Sequence, residues 1–337
     1  MCAHIAKFED ASRKTLEEDF ARYQSELRLH CYRMMGSFHD AEDLTQETLL
    51  RAFRGWTKFK RQTSVRRWLY RIATNACLNA LEKRSNRRRL LPDAFAPTTR
   101  MPQGDPPSDV SWLEPFPDFG IEQIVADEPA PNARYERWES IRLAFVAAIQ
   151  HLPARQRAVL LLRDVVGWTA EETASALSIS LASANSALQR ARAAQQKSRG
   201  WEANRAIETR EEQGLIDQYV TAWETGDLPR LVRLLREDAT LVMPPRPEWY
   251  RGRVAIEGFF QWAFDWVWGK PELKAFRLRP IKANGRSALA MYLRPQGETH
   301  YHAHALHCLN WADGKVSAVN LFVEPKLFTA FQLPRSI

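Results

Sequence analysis

The sequence TAEETASALSISLASANSALQRAR, residues 169–192, decides the fold of the middle of the chain. Thr169 and Glu172 have the spacing of a capping box, in which each side chain accepts a hydrogen bond from the other residue's backbone at a helix start. The pattern then predicts a short helix, a three-residue turn at residues 178–180 and a second helix to about Gln196. Two helices joined by so short a turn are typical of a helix-turn-helix, whose second helix enters the major groove of DNA.

Two more helices precede this pair. The first is predicted over Arg137–His151 and the second over Ala154–Val166, where Pro153 occupies a position that the first turn of a helix tolerates. Gly167 then ends the second helix. Residues 136–200 are therefore predicted to form one all-α block.

Positive charge is concentrated on the N-terminal side of this block. The chain has 337 residues, a formal net charge of +8 and a pI near 9.4, which indicate a polyanionic partner. Residues 48–90 hold thirteen Lys and Arg against a single acidic residue. Helices are predicted over about 15–35, 40–54 and 64–84, and the loop at 55–63 alternates aromatic and basic side chains. This first block is predicted to bind nucleic acid.

The first two of these helices carry start and packing signals. Thr15 and Glu18 have capping-box spacing, which predicts that the first helix starts at Thr15. Acidic residues in the early turns of the second helix suit a helix N-terminus. The apolar side chains predicted to form its buried stripe are Leu44, Leu49, Leu50 and Phe53.

The next segment, residues 91–135, reverses the charge. It carries eight Asp and Glu against two Arg, and nine of the chain's 19 prolines. Such an acidic, proline-rich composition is typical of an extended linker.

The C-terminal part of the chain changes to a mixture of helices and strands. Amphipathic helices are predicted over Leu215–Trp223 and Leu228–Leu235, and a further helix over about Val254–Phe264. The strand-like runs are Ala239–Met243, Phe276–Ile281, Ser287–Leu293, Tyr301–Trp311 and Val316–Val323. This order predicts an α+β domain in which helices cover one face of a curved antiparallel sheet.

Histidines in one of these strands raise the question of a metal site. His300, His302 and His304 alternate and are expected on one face of the strand, with His307 on the other. Three imidazoles on one face can bind zinc or nickel, but no carboxylate has a matching spacing. The sequence therefore predicts no metal, no other cofactor and no catalytic pair.

Cellular context follows from what the sequence lacks. It has no run of 18 apolar residues, which argues against a membrane-spanning helix, and residues 1–10 lack the apolar core of a signal peptide. The four cysteines are far apart and include no Cys-x-x-Cys pair, which argues against a zinc ribbon or a disulfide framework. The expectation is a protein of the reducing cytoplasm without membrane contact.

Several strings of the two helical blocks carry a family resemblance. In the first block they are AEDLTQET at 41–48, AF at 52–53 and WLYRIATNA at 68–76. In the second block they are LPARQRAVLLLR at 152–163 and ANSALQRAR at 184–192. These strings resemble regions 2 and 4 of bacterial sigma-70-type RNA polymerase sigma factors of the extracytoplasmic-function (ECF) class.

The third block and the linker extend the resemblance. WYRG at 249–252 and DGKV at 313–316 resemble a SnoaL-like cone, and WLEPFPD at 112–118 resembles the linker of ECF factors with such an extension. The resemblance implies a multidomain fold of two all-α helical domains plus an α+β SnoaL-like cone domain. The implied boundaries are 12–90 for sigma region 2, 91–135 for the linker, 136–200 for sigma region 4 and 205–330 for the SnoaL-like regulatory domain.

The resemblance also assigns roles to residues of region 2. Docking on core RNA polymerase, at its beta and beta-prime subunits, is implied for Asp40, Glu42, Asp43, Gln46 and Glu47. Opening and reading of the −10 promoter element is implied for Trp56, Lys58, Phe59, Lys60, Arg61, Arg67, Arg71 and Asn75. These residue types suit the task, because an unpaired base needs an aromatic surface and its phosphates need positive charge. Packing in the protein interior remains the alternative for the two aromatic residues.

The resemblance gives a role to residues of region 4, and the apolar residues of the otherwise polar linker carry a separate expectation. Reading of the −35 element is implied for Ser183, Asn185, Ser186, Gln189 and Arg190. Arg can contact guanine bidentately, and Asn or Gln can read adenine. Docking of the linker on the C-terminal domain is expected at Trp112, Leu113 and Phe116.

The sequence thus predicts a non-catalytic sigma factor that directs promoter-specific transcription initiation. Its SnoaL-like domain is expected to modulate activity in cis and leaves room for a small ligand in its pocket. Two alternatives stay open. An autonomous helix-turn-helix regulator with a ligand-binding domain would need no polymerase-docking helix. A SnoaL-type isomerase or cyclase fused to a DNA-binding module would turn over a small hydrophobic substrate.

Overall fold

The computed structural model describes residues 2–59, 63–83, 89, 91–94, 96–104, 106, 110–119, 121, 124, 138–198, 209–268, 276–295 and 297–337. The chain forms two compact units. One contains Met1–Arg89 and Asp118–Gly200, and the other contains Leu90–Pro117 and Trp201–Ile337. The segment predicted as a linker is thus divided, because its first part belongs to the same unit as the C-terminal domain.

Three long helices form the N-terminal part of the first unit. They are α1 at Cys2–Met35, α2 at Phe38–Gly55 and α3 at Val65–Lys83, with a 3₁₀ turn at Trp56–Lys58 after α2. Ser37 caps α2, because its Oγ accepts a hydrogen bond from the Asp40 N–H. α1 packs against both other helices, and fully buried side chains such as Tyr32 and Leu69 fill the interior.

Two expectations for these helices are wrong. α1 begins at Cys2, so Thr15 lies inside the helix and does not cap its start. No proline or glycine precedes Thr15, and good helix formers there extend the helix backwards. Leu50 does not join a buried stripe: it is 50% exposed, whereas the other three members of the predicted stripe are partly buried. Position 50 falls on the solvent side of α2.

Shorter helices form the second half of the first unit. They are α4 at Leu143–Gln150, α5 at Ala154–Leu160 with a π-helical continuation over Leu161–Val165, α6 at Ala170–Leu177 and α7 at Leu181–Ser198. The capping box of Thr169 and Glu172 is present, with both reciprocal hydrogen bonds formed. Ser178 adopts the left-handed conformation (φ 53°) in the turn before α7. α6, this turn and α7 form the predicted helix-turn-helix.

The helix predicted over Arg137–His151 starts later than expected. The regular helix begins only at Leu143, and Arg142 before it has an extended ψ of 138°; Arg137 itself lies outside the described residues. A tertiary contact accounts for the interruption. Arg33 of α1 donates hydrogen bonds to the carbonyl oxygen of Ser140 at 3.0 Å and to its hydroxyl at 2.7 Å.

The second unit is built on one six-stranded sheet. Its strands are β1 Leu235–Val242, β2 Trp249–Arg251, β3 Phe276–Ala283, β4 Arg286–Leu293, β5 His302–Ala312 and β6 Lys315–Phe322, in the order β2-β1-β6-β5-β4-β3. Its helices are α8 Thr209–Thr225, α9 Leu228–Leu234, α10 Arg253–Trp268 and α11 Leu327–Ala330. Tyr219 and Trp223 of α8 and Phe260 of α10 share one buried core with Leu309 and Trp311 of β5. The helices therefore cover a face of the sheet, as predicted.

The sheet is mixed rather than antiparallel throughout. β1 and β6 run parallel, with Leu241 beside Val319, whereas the other neighbouring strands are antiparallel. A local alternating pattern identifies a strand but not a distant partner, and four other strands separate β1 from β6 along the chain. β2 was not predicted, because a strand of three residues is too short to show alternation.

A bulge in β5 changes the face on which one histidine lies. The register of the β4–β5 ladder shifts so that His304 is an extra residue in β5 without a partner position in β4. The bulge breaks the expected alternation, and His304 and His307 line the same cavity instead of opposite faces. His302 lies elsewhere and contacts Glu298, with both side chains about half exposed.

Candidate nucleic-acid interface and docked linker

One face of α2 presents acidic and amide side chains to solvent. Glu42, Asp43 and Gln46 are exposed, and their spacing places them on one side of the helix. Leu50, one turn further on, is 50% exposed on the same side. These four residues are called the α2 acidic face. Negative charge around an uncovered leucine is suited to docking on a positively charged protein surface.

Asp40 and Glu47, the other two docking residues expected from the sequence, are engaged within the protein. The Asp40 carboxylate lies 2.7 Å from Arg89 Nη2 and is largely buried. Glu47 Oε1 accepts a hydrogen bond from Arg51 Nε at 2.7 Å. A pair four residues apart on a helix contributes only about 0.2–0.5 kcal/mol. Glu47 is therefore easily released, whereas Asp40 is held in the interior.

Aromatic side chains of the loop after α2 stack on one another. The Phe59 ring lies 4.6 Å from that of Trp68 and 5.7 Å from that of Trp56, stacked in both cases. Trp56 is buried and Phe59 is partly buried, while Lys58 is exposed. The remaining loop residues expected to act here, Lys60 and Arg61, lie outside the described residues. The stack anchors the loop on α3 and leaves part of the Phe59 ring uncovered.

Basic side chains of α3 meet the helix-turn-helix. Arg67 Nη1 lies 2.6 Å from Oε1 of Glu172, the capping-box glutamate of α6. Arg71 is exposed. Asn75 is partly buried and lines a cavity of about 580 Å³ between α3 and residues around the start of α5. The expected phosphate contact Arg67 is thus paired with a carboxylate of the helix-turn-helix in this structure.

The second helix of the helix-turn-helix turns its polar side outward. Ser183, Asn185, Gln189 and Arg190 are exposed, and Ser186 is partly buried. The apolar residues that face inward are Ala184, Ala187, Leu188 and Ala191. An exposed face with amide and guanidinium groups is the surface that major-groove reading requires.

The linker is bound to the turn between β3 and β4. The Phe116 N–H donates to Asn284 Oδ1 at 2.9 Å, and the Asn284 N–H donates to the Phe116 carbonyl at 2.9 Å. Pro117 continues this contact as a β-bridge with Ala283. Asn284 has a left-handed conformation (φ 52°) and with Gly285 forms the two-residue hairpin turn. The contact between Phe116 and Asn284 is called the linker clasp.

The three apolar linker residues expected to dock are buried. Trp112, Leu113 and Phe116 have exposed fractions of 7%, 1% and 4%. Two charged neighbours, Glu114 and Asp118, are buried as well. This part of the linker is therefore packed into the protein and not extended in solvent.

Further upstream, several hydrogen bonds join the linker to the rest of the second unit. The Thr98 N–H donates to the Trp249 carbonyl at 2.9 Å. The Tyr250 hydroxyl donates to the Arg100 carbonyl at 2.9 Å. The third bond joins Arg246 Nη2 to the Gly104 carbonyl at 2.5 Å.

A cavity of about 360 Å³ lies next to this upstream part of the linker. Aromatic side chains such as Trp223 and Trp262 form much of its wall. Burial lowers the pKa of His304 to about 4, because an imidazolium would lose its hydration there. Burial, with a smaller contribution from His304, lowers the pKa of His307 to about 3. Both cavity imidazoles are neutral at pH 7.

Comparison with known proteins places these features in a family. Known domain patterns match residues 20–87 (Sigma-70 region 2), 142–194 (Sigma-70 region 4) and 216–319 (SnoaL-like domain). The chain is 45% identical to the ECF RNA polymerase sigma factor SigG of Mycobacterium tuberculosis over 320 residues, which cover 94% of this chain and 83% of SigG. The chain belongs to the ECF sigma factors.

Two other relatives of this ECF sigma factor illustrate its range. SigE of Mycolicibacterium smegmatis is 30% identical over 178 residues, which cover 53% of this chain and 58% of SigE. The crystal structure of the extracytoplasmic function sigma factor SigJ of Mycobacterium tuberculosis has a TM-score of 0.58 at 23% identity and covers 94% of this chain and 99% of SigJ. This likeness confirms the predicted fold of two helical sigma domains and a SnoaL-like domain. Family membership confirms the predicted sigma factor function.

Two features of the ECF sigma factor bear on metals and membranes. Within the described part of the chain, no three His, Cys, Asp or Glu side chains come close enough together to hold a metal ion. His300 lies beside Thr299, and the other strand histidines lie apart from it as described above. No helix among the described residues is long and apolar enough to span a bilayer.

Sequence reasoning missed several contact residues of this ECF sigma factor. Asn284-Gly285 is a strong hairpin signal that the sequence displays, but nothing in the sequence marks Asn284 as the partner of Phe116. Arg246 and Tyr250, which hold the linker, look like ordinary loop and strand residues. Their roles depend on which distant segment lies beside them.

Proposed function

We propose that this ECF sigma factor docks on core RNA polymerase, at the beta-prime and beta subunits, through the α2 acidic face. Glu42 and Asp43 are exposed and form no ion pair with any described residue. Leu50, one turn beyond Gln46, adds exposed apolar surface to this face. Asp40 is left out of the proposed face, because its carboxylate is buried against Arg89. Glu47 lies at its edge.

Promoter DNA is proposed to meet two surfaces of the same unit. The loop after α2 and the start of α3 take the −10 element, with Phe59 as the stacking surface and Lys58, Arg67 and Arg71 toward phosphates. α7 takes the −35 element through its exposed polar side. The pairing of Arg67 with Glu172 must open for Arg67 to reach DNA, and an exposed pair of this kind contributes about 0–1 kcal/mol.

The SnoaL-like domain is proposed to control initiation in cis by holding the linker. The observation that carries this proposal is the linker clasp, a two-way hydrogen bond between Phe116 and Asn284. On the polymerase, the acidic linker is proposed to enter a positively charged cleft, and it must first leave the hairpin turn. Each molecule clasped in this way withholds its linker from the polymerase.

We further propose that the SnoaL-like domain is not catalytic and that the protein works in the cytoplasm, where its polymerase partner is. Among the described residues that line the cavity, there is no Asp or Glu to pair with the two histidines. A neutral imidazole without a carboxylate partner is poorly suited to act as a general acid or a general base. The match to Sigma-70 region 2 speaks against an autonomous regulator, which needs no such region.

Run-off transcription with purified core polymerase tests the control in cis. Asn284→Gly removes the amide that binds Phe116 but keeps the left-handed turn, which glycine adopts freely. The matched control is Asp313→Gly at the β5–β6 turn, where Asp313 also has a positive φ of 53°. We expect Asn284→Gly to raise the yield about fivefold, the equivalent of a lost hydrogen bond of about 1 kcal/mol. Asp313→Gly should match the parent chain.

Hydrogen exchange provides the second readout of the same pair of variants. Asn284→Gly should speed exchange in residues 110–117 of the linker, and Asp313→Gly should not. If exchange speeds up while the transcription yield stays at the parental level, the linker is released without consequence and the proposed control is wrong. A yield raised equally by both variants contradicts it too.

A further inference from the structure

The linker forms one wall of the cavity in the SnoaL-like domain. Pro102 and Gly104 line the cavity, and Met101 packs against the hydrophobic core of the domain. The hydrogen bonds described above hold this stretch at Thr98, at Arg100 and at Gly104. Residues 98–104 are called the linker wall. The cavity has its full shape only when the linker wall is in place.

The lining of the cavity determines what it can hold. Its volume of about 360 Å³ is at the lower end of the range for small-molecule sites. Aromatic and aliphatic groups dominate, with Trp223, Phe259 and Phe276 among them. The guanidinium of Arg246 already donates to linker carbonyls, and no described lining residue is acidic. A cationic ligand would therefore lose hydration without gaining a counter-charge, and an anionic one would compete with the linker carbonyls for the Arg246 guanidinium.

One polar group in this lining has an unused hydrogen-bonding capacity. His304, the bulge residue of β5, lines the cavity and has no hydrogen-bond partner among the described residues. A neutral imidazole has one N–H donor and one nitrogen acceptor. His307 differs, because its Nδ1 lies 3.1 Å from the Tyr219 hydroxyl. A hydrogen-bonding group on a ligand would satisfy His304.

We propose that this cavity binds a neutral, mainly apolar small molecule with one hydrogen-bonding group for His304, and that the bound molecule holds the linker wall in place. The ligand contacts Pro102 and Gly104 only while the linker is docked, so it binds the docked state more tightly. Ligand binding and linker docking then strengthen each other by the same factor. The inference rests on the proposed control in cis, because the ligand acts through the same linker.

Binding of N-phenyl-1-naphthylamine, a neutral fluorescent aromatic amine, to the full-length protein tests the site. We expect a saturable rise in its fluorescence. Ala263→Trp fills the cavity from α10 and should abolish the rise, whereas Val254→Trp, at an 82% exposed position of the same helix, should leave it intact. His304→Phe keeps a ring of similar size and should weaken binding about fivefold through the lost hydrogen bond.

Coupling to the linker is measured by hydrogen exchange with and without the saturating probe. We expect the probe to slow exchange in residues 96–104. Tyr250→Phe removes only the hydroxyl bonded to Arg100 and should weaken probe binding several-fold, with the ring still stacked on Phe259. Undiminished binding by Ala263→Trp overturns the proposal, as does unchanged exchange of the linker wall at saturation. Neither probe binding nor hydrogen exchange uses polymerase. A negative result in these two measurements can therefore be told apart from a negative result in the transcription test with Asn284→Gly.

Discussion

The guanidinium of Arg157, in α5, donates a hydrogen bond to the main-chain carbonyl of Met34, in the last turn of α1. Carbonyls at a helix C-terminus have no partner within their own helix. The buried Arg157 also donates to the carbonyls of Ile149, Gln150 and Leu152. A side chain of sigma region 4 thus completes a helix of sigma region 2, and the two regions share a buried polar joint.

Replacement of Arg157 should destabilise the first unit strongly. Arg157→Met keeps an unbranched side chain of similar length but leaves buried carbonyls without donors, which lowers the free energy of unfolding by about 3 kcal/mol. Arg155→Met is the matched control, because Arg155 is exposed on the same helix, and it should change stability by less than about 0.5 kcal/mol. Urea unfolding followed by far-UV circular dichroism compares the two variants with the parent chain. Equal urea midpoints for Arg157→Met and the parent chain would show that the hydrogen bonds of Arg157 contribute nothing to stability.

Charge reversal on the α2 acidic face should abolish polymerase binding. In a chain carrying Glu42→Arg and Asp43→Arg, positive charge replaces the negative charge proposed to meet the polymerase, and repulsion across such an interface costs several kcal/mol. Glu18→Arg, at an exposed position of α1, is the control and should bind normally. A pull-down with core polymerase measures both. Retention of the double variant at parental levels contradicts the docking proposal.

Promoter selectivity should change when exposed side chains of α7 are shortened. Asn185→Ala and Arg190→Ala should each lose about 1–3 kcal/mol at particular −35 bases, because a bidentate contact to a base edge is lost. Arg192→Ala is the control for lost positive charge, since Arg192 is held by Asp164 at 2.7 Å. Selection from a randomised −35 library by holoenzyme measures the outcome. A loss spread equally over all sequences identifies these side chains as phosphate contacts.

Acid should weaken the second unit through its buried histidines. The pKa of His307 falls from 6.5 to about 3 on folding, so the unfolded chain binds its proton first. The contribution of His307 to the free energy of unfolding is therefore greatest above about pH 6.5. It decreases by about 1.4 kcal/mol per pH unit as the pH falls toward 3. His307→Gln cannot titrate, so its stability should fall less steeply between those values. Urea midpoints across this range test the point, with exposed His302→Gln as the control, and parallel slopes for His307→Gln and the parent chain would refute it.

Local signals in the sequence were sufficient for the helix-turn-helix and for five of the six strands, but insufficient for how the strands pair. The capping box at Thr169 and the break at Gly167 act over a few residues, so a single sequence displays them. The parallel ladder between β1 and β6 depends on segments that meet only in the folded chain. The same holds for the bulge that turns His304 into the cavity, because a bulge is a mismatch between two strands and neither strand shows it alone.

The same difference between local and distant signals applies to the candidate site. Helical periodicity indicates which side of α2 and of α7 is polar, and exposure of Asp43 and Asn185 agrees with that periodicity. It does not reveal that Asp40 is paired with Arg89 or that Phe59 stacks on Trp56 and Trp68. These contacts within the protein engage side chains that the sequence alone assigns to the polymerase and to promoter DNA.

The linker clasp also imposes an order in time on each new molecule. Phe116 and Asn284 are separated by 168 positions along the chain. A ribosome adds about 5–20 residues per second, so the linker is made on the order of ten seconds before the turn that will hold it. The helices of region 2 have nearby partners and fold early, whereas the β1–β6 ladder must wait for its last strand. Every newly made chain therefore passes through a stage at which the helices of region 2 exist and the linker clasp does not.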